Sequence, residues 1–155
     1  MIRGEIIYIG SPTALAKNTG KATKAALMAT GRFWHRVILP AHFEPQAKHT
    51  YQYQQRDEAY QKRKLARVGH NIDLLFSGES KRDLTTRRQL SGTSKLVRIS
   101  LSAPKHFYQY RGRGPHKAEE VLRTADADRE AMGKVLGEAH EAHLAAIQDI
   151  ERDTF

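Results

Sequence analysis

The sequence predicts an α+β fold, in which a small antiparallel sheet with a β-hairpin packs against an N-terminal helix and a long C-terminal helix. Ile2 to Ile9 and Leu96 to Leu101 carry β-branched residues or alternation, whereas 20–38 and 116–150 repeat apolar residues at three- and four-residue steps. The length of 155 residues suits one core, because folding at that size removes roughly 70% of the chain's surface from water. One domain over 1–155 is expected.

Ile2 to Ile9 closes on Gly10-Ser11-Pro12, a turn signal, which makes 1–10 an edge strand. From Gly20 onward Ala22, Ala26, Ala29, Phe33 and Val37 share one side, with Trp34 and Ile38 beside them, and Pro40 ends a helix over 20–38. Ser11-Pro12 offers an alternative, earlier start, with Asn18 to Gly20 as a break. Residues 40–54 contain Pro40 and Pro45 and no sustained period, so an irregular loop, functional or pinned by a partner, is expected there. The segment 55–67 reads as a surface helix, with Glu58 four residues before Lys62 and Gly69 at its end. Asp73-Leu-Leu-Phe-Ser-Gly78 then leads into a Lys/Arg/Thr stretch.

The span 84–102 reads as a hairpin, with Thr85, Thr86 and Leu90 in one arm, Ser91 to Ser94 in the turn and Leu96 to Leu101 in the other arm. Pro104 to Tyr110 is aromatic and reads as extended, and Arg111-Gly-Arg-Gly-Pro115 breaks the chain. Beyond it, Ala118, Val121, Leu122, Ala125, Met132, Val135, Leu136, Ala139, His143, Ala146, Ile147 and Ile150 trace one stripe. A single long helix over 116–150 follows, interrupted at most near Gly133 or Gly137.

Hydrophobic residues are 39% of the chain and charged residues 28%, which implies a modest core under much solvated or partner-facing surface. There is no cysteine, so disulfides, thiolate zinc sites and cysteine nucleophiles are excluded together. Glu5 interrupts the leading apolar patch and no apolar run approaches 20 residues, so neither a secretion signal nor a membrane span is expected. The net charge of +9 is unevenly spread. Lys and Arg outnumber Asp and Glu by 8 to 4 over 1–60 and by 13 to 3 over 61–113, whereas over 114–155 they are outnumbered, 5 to 10. A basic middle and an acidic end suit a nucleic-acid surface, and equally suit subunits that dock opposite charges.

Catalytic motifs do not survive inspection. His140-Glu-Ala-His143 sets its imidazoles three residues apart, whereas a helical zinc pair needs four with the glutamate between; His143 reads as a packed stripe residue and His140 as a solvated one. Gly20-Lys21-Ala22-Thr23 ends like a phosphate loop, but Leu15 stands where that loop needs its first glycine and the hydroxyl is displaced by one. Ser77, Ser80, Ser91 and Ser94 lie near lysines without a Ser-x-x-Lys or Gly-x-Ser-x-Gly pattern. The carboxylates of the last helix fall on a repeating polar face, so no acid/base pair stands out. No enzyme, cofactor or metal is expected.

The remaining signal is aromatic residues interleaved with cations. One set is Tyr51, Tyr53, Arg56, Tyr60, Lys62, Arg63, Lys64 and Arg67; the other is Lys105, His106, Phe107, Tyr108, Tyr110, Arg111 and Arg113. Such sets anchor protein interfaces, stack bases and neutralise phosphates, or form an ordinary solvated face.

In sequence order, Leu74-Leu-Phe-Ser-Gly78, the hairpin Leu84 to Leu101, His106-Phe-Tyr-Gln-Tyr-Arg-Gly112 and the helix Pro115 to Ile150 resemble the virion morphogenesis proteins of tailed bacteriophages, the tail-completion and neck group. The resemblance covers about residues 20–150. The chain departs from that group's pattern in its leading strand, its long loop at 40–54 and its short Gly114-Pro115-His116 segment before the last helix. The resemblance implies a structural virion protein at the head-tail joint or the head-proximal end of the tail, forming a ring with itself and meeting other neck, portal-side or tail proteins, with packaged DNA as a further contact. The alternative is a basic accessory protein that binds nucleic acid.

Overall fold

The computed structural model describes residues 2–7, 17–86, 88–108 and 116–152. Strand β1 is Ile2–Ile7. Helix α1 is Lys17–Phe33 and runs on through a π-helical turn, Trp34–Ile38, into a last turn, Leu39–Ala41. Short helix α2 (Ala47–Thr50), α3 (Glu58–Val68) and α4 (Glu79–Thr86) follow, then strands β2 (Arg88–Gly92) and β3 (Leu96–Leu101). Helices α5 (Lys105–Tyr108), α6 (Lys117–Glu120) and α7 (Asp126–Arg152) complete the order. The fold class is the expected α+β one.

The three strands form one antiparallel sheet in the order β1-β3-β2, so β1 is an edge strand and β3 the centre. Alternation along β3 decides its faces: Val97, Ile99 and Leu101 are buried, while Arg98 faces solvent and grips Glu5, its register partner on β1, through two bonds of 2.9 and 2.8 Å. Helix α1 lies on the inner face. It comes close because Gly31 has no side chain; a Cβ there would meet Leu90 and Val97 methyls at 3.3 Å. Ala26, Leu27, Leu84, Ile99 and Leu101 are essentially inaccessible to water, and full burial of each large aliphatic side chain contributes about 1.5–3 kcal/mol.

Helix α7 packs along α1 in the opposite direction, with Met132 beside Trp34 at one end and His140 Nε2 at 3.3 Å from Thr23 Oγ1 at the other. Every described side chain of α7 stays at least partly exposed, so the expected stripe only half buries Val135, Leu136 and Ala139.

Several boundaries differ from expectation. The single helix over 116–150 is two, α6 and α7, and the break falls at 121–125 rather than at Gly133 or Gly137. Val121 turns wholly into the core there, and Asp128 accepts a 2.9 Å hydrogen bond from the Ala125 N–H to cap the new helix. Within α7 it is His140 that is half-buried and His143 that is exposed, the reverse of the expected assignment. Thr85 and Thr86 belong to α4, not to the hairpin; the Thr85 hydroxyl is spent on the Lys81 carbonyl at 2.7 Å. The hairpin turn is Thr93–Lys95, organised by the Thr93 N–H bond to Leu96 O at 2.8 Å and by Thr93 Oγ1 accepting from the Lys95 and Leu96 N–H groups.

Residues 105–108 are a helical turn instead of an extended segment, with Phe107 buried. The first helix continues through Asn18 to Gly20 without a break and ends at Ala41, one residue past Pro40. The π-helical turn precedes that proline, the Leu39 N–H reaching back five residues to Trp34 O, where a proline ring crowds an ordinary helical turn.

Candidate partner surface

The connection at 40–54 is pinned by the chain's own core. His42, Phe43, Ala47, Tyr51 and Tyr53 are all buried. The His42 ring stacks on Tyr51 with centroids 3.8 Å apart, and Tyr53 Oη bonds His42 Nδ1. Burial pushes the His42 imidazole down to about 4 and Tyr51 up to about 12, and it raises Tyr53 further still with help from nearby Glu120. Tyr53 therefore stays a phenol and donates to an unprotonated Nδ1.

Arg56 is buried too, between two buried carboxylates. Its Nε lies 3.2 Å from Asp73 Oδ1 and its Nη2 bonds Glu120 Oε2, while the Gln54 N–H donates to the other Glu120 oxygen at 3.1 Å. Lys64, the one buried residue of α3, donates through Nζ to the Ile72 carbonyl and reaches the Asp73 carbonyl at 3.5 Å. Burial lowers its ammonium to about 8 against the opposing pull of Asp73. The group Arg56, Lys64, Asp73 and Glu120 thus balances two cations against two anions and fastens three chain segments together. Tyr51, Tyr53, Arg56 and Lys64 are buried, which corrects their reading as surface residues: the aromatic rings went to the core and the two cations to buried carboxylates and carbonyls, Lys64 keeping only a sliver of its stem at a groove along α3.

The rest of that set stands open. Helix α3 is started by Asp57, whose carboxylate accepts from the Tyr60 N–H at 3.0 Å, and stopped by Gly69 at φ 76°, where only glycine is unstrained. The chain then folds back, so that Phe76 comes to lie against the helix. Tyr60, Arg63, Lys64, Arg67 and Phe76 line a shallow groove of about 250 Å³. The Arg67 guanidinium sits 5.7 Å from the Phe76 ring centroid. Lys62, Arg63 and Arg67 are exposed, as are Phe76 in the groove and Leu65 on another side of the helix. Among the described residues no carboxylate pairs with Lys62, Arg63 or Arg67.

Of the second set, Lys105 is exposed on α5, apart from this groove. Arg111, Arg113 and the side chain of Tyr108 lie outside the described residues. Two larger hollows are bounded by groups already engaged. The one at the start of α7, about 710 Å³, is flanked by Arg123, bonded to the Tyr51 and Gln52 carbonyls, and by Arg129, bonded to Thr124 and Asp126. The one beside β1, about 420 Å³, is floored by Trp34 and Ile99.

Sequence reasoning missed Phe76 at the groove and Glu120 as the buried partner of Arg56. Phe76 carried a signal, as an aromatic residue seven positions past a helix-stopping glycine, placed to return toward α3. Among the described residues no helix is long and apolar enough to cross a membrane. Comparison with protein-family models, with curated proteins and with solved structures finds no match to this chain.

Proposed function

We propose that this chain is a structural subunit of a tailed-phage particle, placed at the head-tail joint or the head-proximal end of the tail, where it assembles into a ring and carries out no chemistry of its own. The observation that carries the reading is the α3 groove, where the Tyr60 and Phe76 rings flank exposed Arg63 and Arg67, neither paired with a carboxylate among the described residues, on a helix that buries only Lys64. Aromatic and arginine side chains of this kind anchor protein interfaces. The order of motifs from Leu74 to Ile150, similar to the neck and tail-completion group, supplies the particle. In a ring each subunit offers one surface to a different surface of its neighbour, and the split between basic middle and acidic end suits such directional docking.

The second reading, a nucleic-acid-binding accessory protein, draws on the same Arg63, Arg67 and Tyr60. It is weakened by Arg56 and Lys64 turning inward, which shortens the line of cations that could follow a phosphate backbone. Electron microscopy of the purified protein, alone and mixed with portal-side or tail components, tests the proposal. Rings, or subunits seated on those components, are expected; a protein that stays monomeric in both cases contradicts it.

A further inference from the structure

We propose that the occupant of the α3 groove is the acidic outer face of α7 from a second copy of this chain, with Arg63 and Arg67 meeting Glu138 and Glu141. The inference rests on the ring reading above and names the two surfaces that would join. The groove's chemistry asks for a carboxylate. Two guanidinium groups four residues apart on one helix face, flanked by the Tyr60 and Phe76 rings, suit a planar anion held by paired N–H donors. A space of about 250 Å³ fits a carboxylate side chain and lies below the usual range for small-molecule pockets.

The acidic surface has the matching form. Glu130, Glu138 and Glu141 are exposed and recur at helical steps on the side of α7 turned away from α1. Lys134 approaches Glu138 only at 3.9 Å with both side chains mostly exposed, a pair too weakly held to satisfy that carboxylate. Ala142 and Ala145, exposed beside Glu138 and Glu141, leave room for Phe76 to close on the helix. The groove and the acidic face are different surfaces of one chain, so docking is heterologous and passes from each copy to the next.

The test compares four proteins by light scattering and mass photometry at low salt, with circular dichroism to show that each is folded. They are the unmodified chain, the double variant Arg63→Glu/Arg67→Glu, the double variant Glu138→Lys/Glu141→Lys, and the quadruple variant combining both. All four positions are exposed, so folding is expected to be unchanged. Each double variant sets like charges against each other and is expected to weaken self-association on the order of 100-fold. The quadruple variant restores opposite charges and is expected to assemble again. Double variants that assemble as the unmodified chain does would overturn the pairing while leaving the ring reading in place. An unmodified chain that is monomeric at every concentration, both alone and mixed with portal-side or tail components, would overturn both. Retention of a DNA duplex by a monomer, lost in Arg63→Glu/Arg67→Glu, would assign the groove to nucleic acid instead.

Discussion

Acid should loosen the fold as the pH drops below about 6.5, and His42 is the group to follow. Its imidazole is held near 4 by burial, whereas in the unfolded chain it returns to about 6.5. At pH 7.5 both states are neutral there and the native packing is fully expressed. As pH falls through 6.5 the unfolded chain takes up a proton that the folded chain refuses, so stability is lost between about pH 6.5 and 4. The unfolded state gains about 1.4 kcal/mol by pH 5.5 and about 2.5 kcal/mol by pH 4.5, from 1.36 kcal/mol per unit of pKa difference. His35 adds to the loss in the same direction: burial lowers it, and it bonds Leu84 O through Nε2 while taking a bond from Arg88 on Nδ1, at 3.0 and 2.9 Å.

The variant His42→Phe keeps a ring against Tyr51 and removes the titrating nitrogen. It leaves the buried Tyr53 hydroxyl without its acceptor, at a cost of about 1–3 kcal/mol that does not depend on pH in this range. Urea unfolding of both proteins at pH 7.5 and 5.5 is the assay. The gap between them is expected to narrow by about 1.4 kcal/mol on acidification. An unchanged gap, or an unmodified protein equally stable at both pH values, would refute the assignment.

Glu120→Ala is expected to cost about 3–5 kcal/mol in chemical unfolding, because it strips a buried guanidinium of one of its two carboxylates; Glu120→Gln, which keeps an acceptor, should cost less. Gly69→Ala should cost about 1 kcal/mol, measured the same way, through the left-handed turn at φ 76° that ends α3. Asp57→Ala should lose about 1 kcal/mol with the cap at the other end of α3. Gly31→Leu should destabilise by about 1–3 kcal/mol or prevent folding, since a Cβ alone already meets the Leu90 and Val97 methyls at 3.3 Å.

The elements with strong local periods were legible in the sequence. β1, α1, α3 and the Leu96 to Leu101 arm carried alternation, a helical stripe or a glycine stop, and each lies where those signals put it. The split between α6 and α7 was not legible, because the apolar residues on either side of 121–125 stay in helical phase and only the Asp128 cap and the inward turn of Val121 reveal the break. Helix α4 was hidden in a polar stretch whose one buried large apolar anchor is Leu84.

At the candidate site, residue types indicated an interface, but side-chain direction sorted them. Tyr51, Tyr53, Arg56 and Lys64 read like their neighbours Tyr60, Lys62, Arg63 and Arg67. What separated them was the placement of Asp73, Glu120 and His42, far apart in sequence and together only in the fold.

The proposal that this chain builds an assembly by docking opposite charges can be put to one measurement, its mass in solution at low and high salt, with and without a short DNA duplex. Subunit docking through the α3 groove and α7 predicts a multiple of the 17.6 kDa chain at low salt that falls apart as salt rises and is indifferent to DNA. A monomer at both salt concentrations that binds the duplex at low salt and releases it at high salt would contradict it.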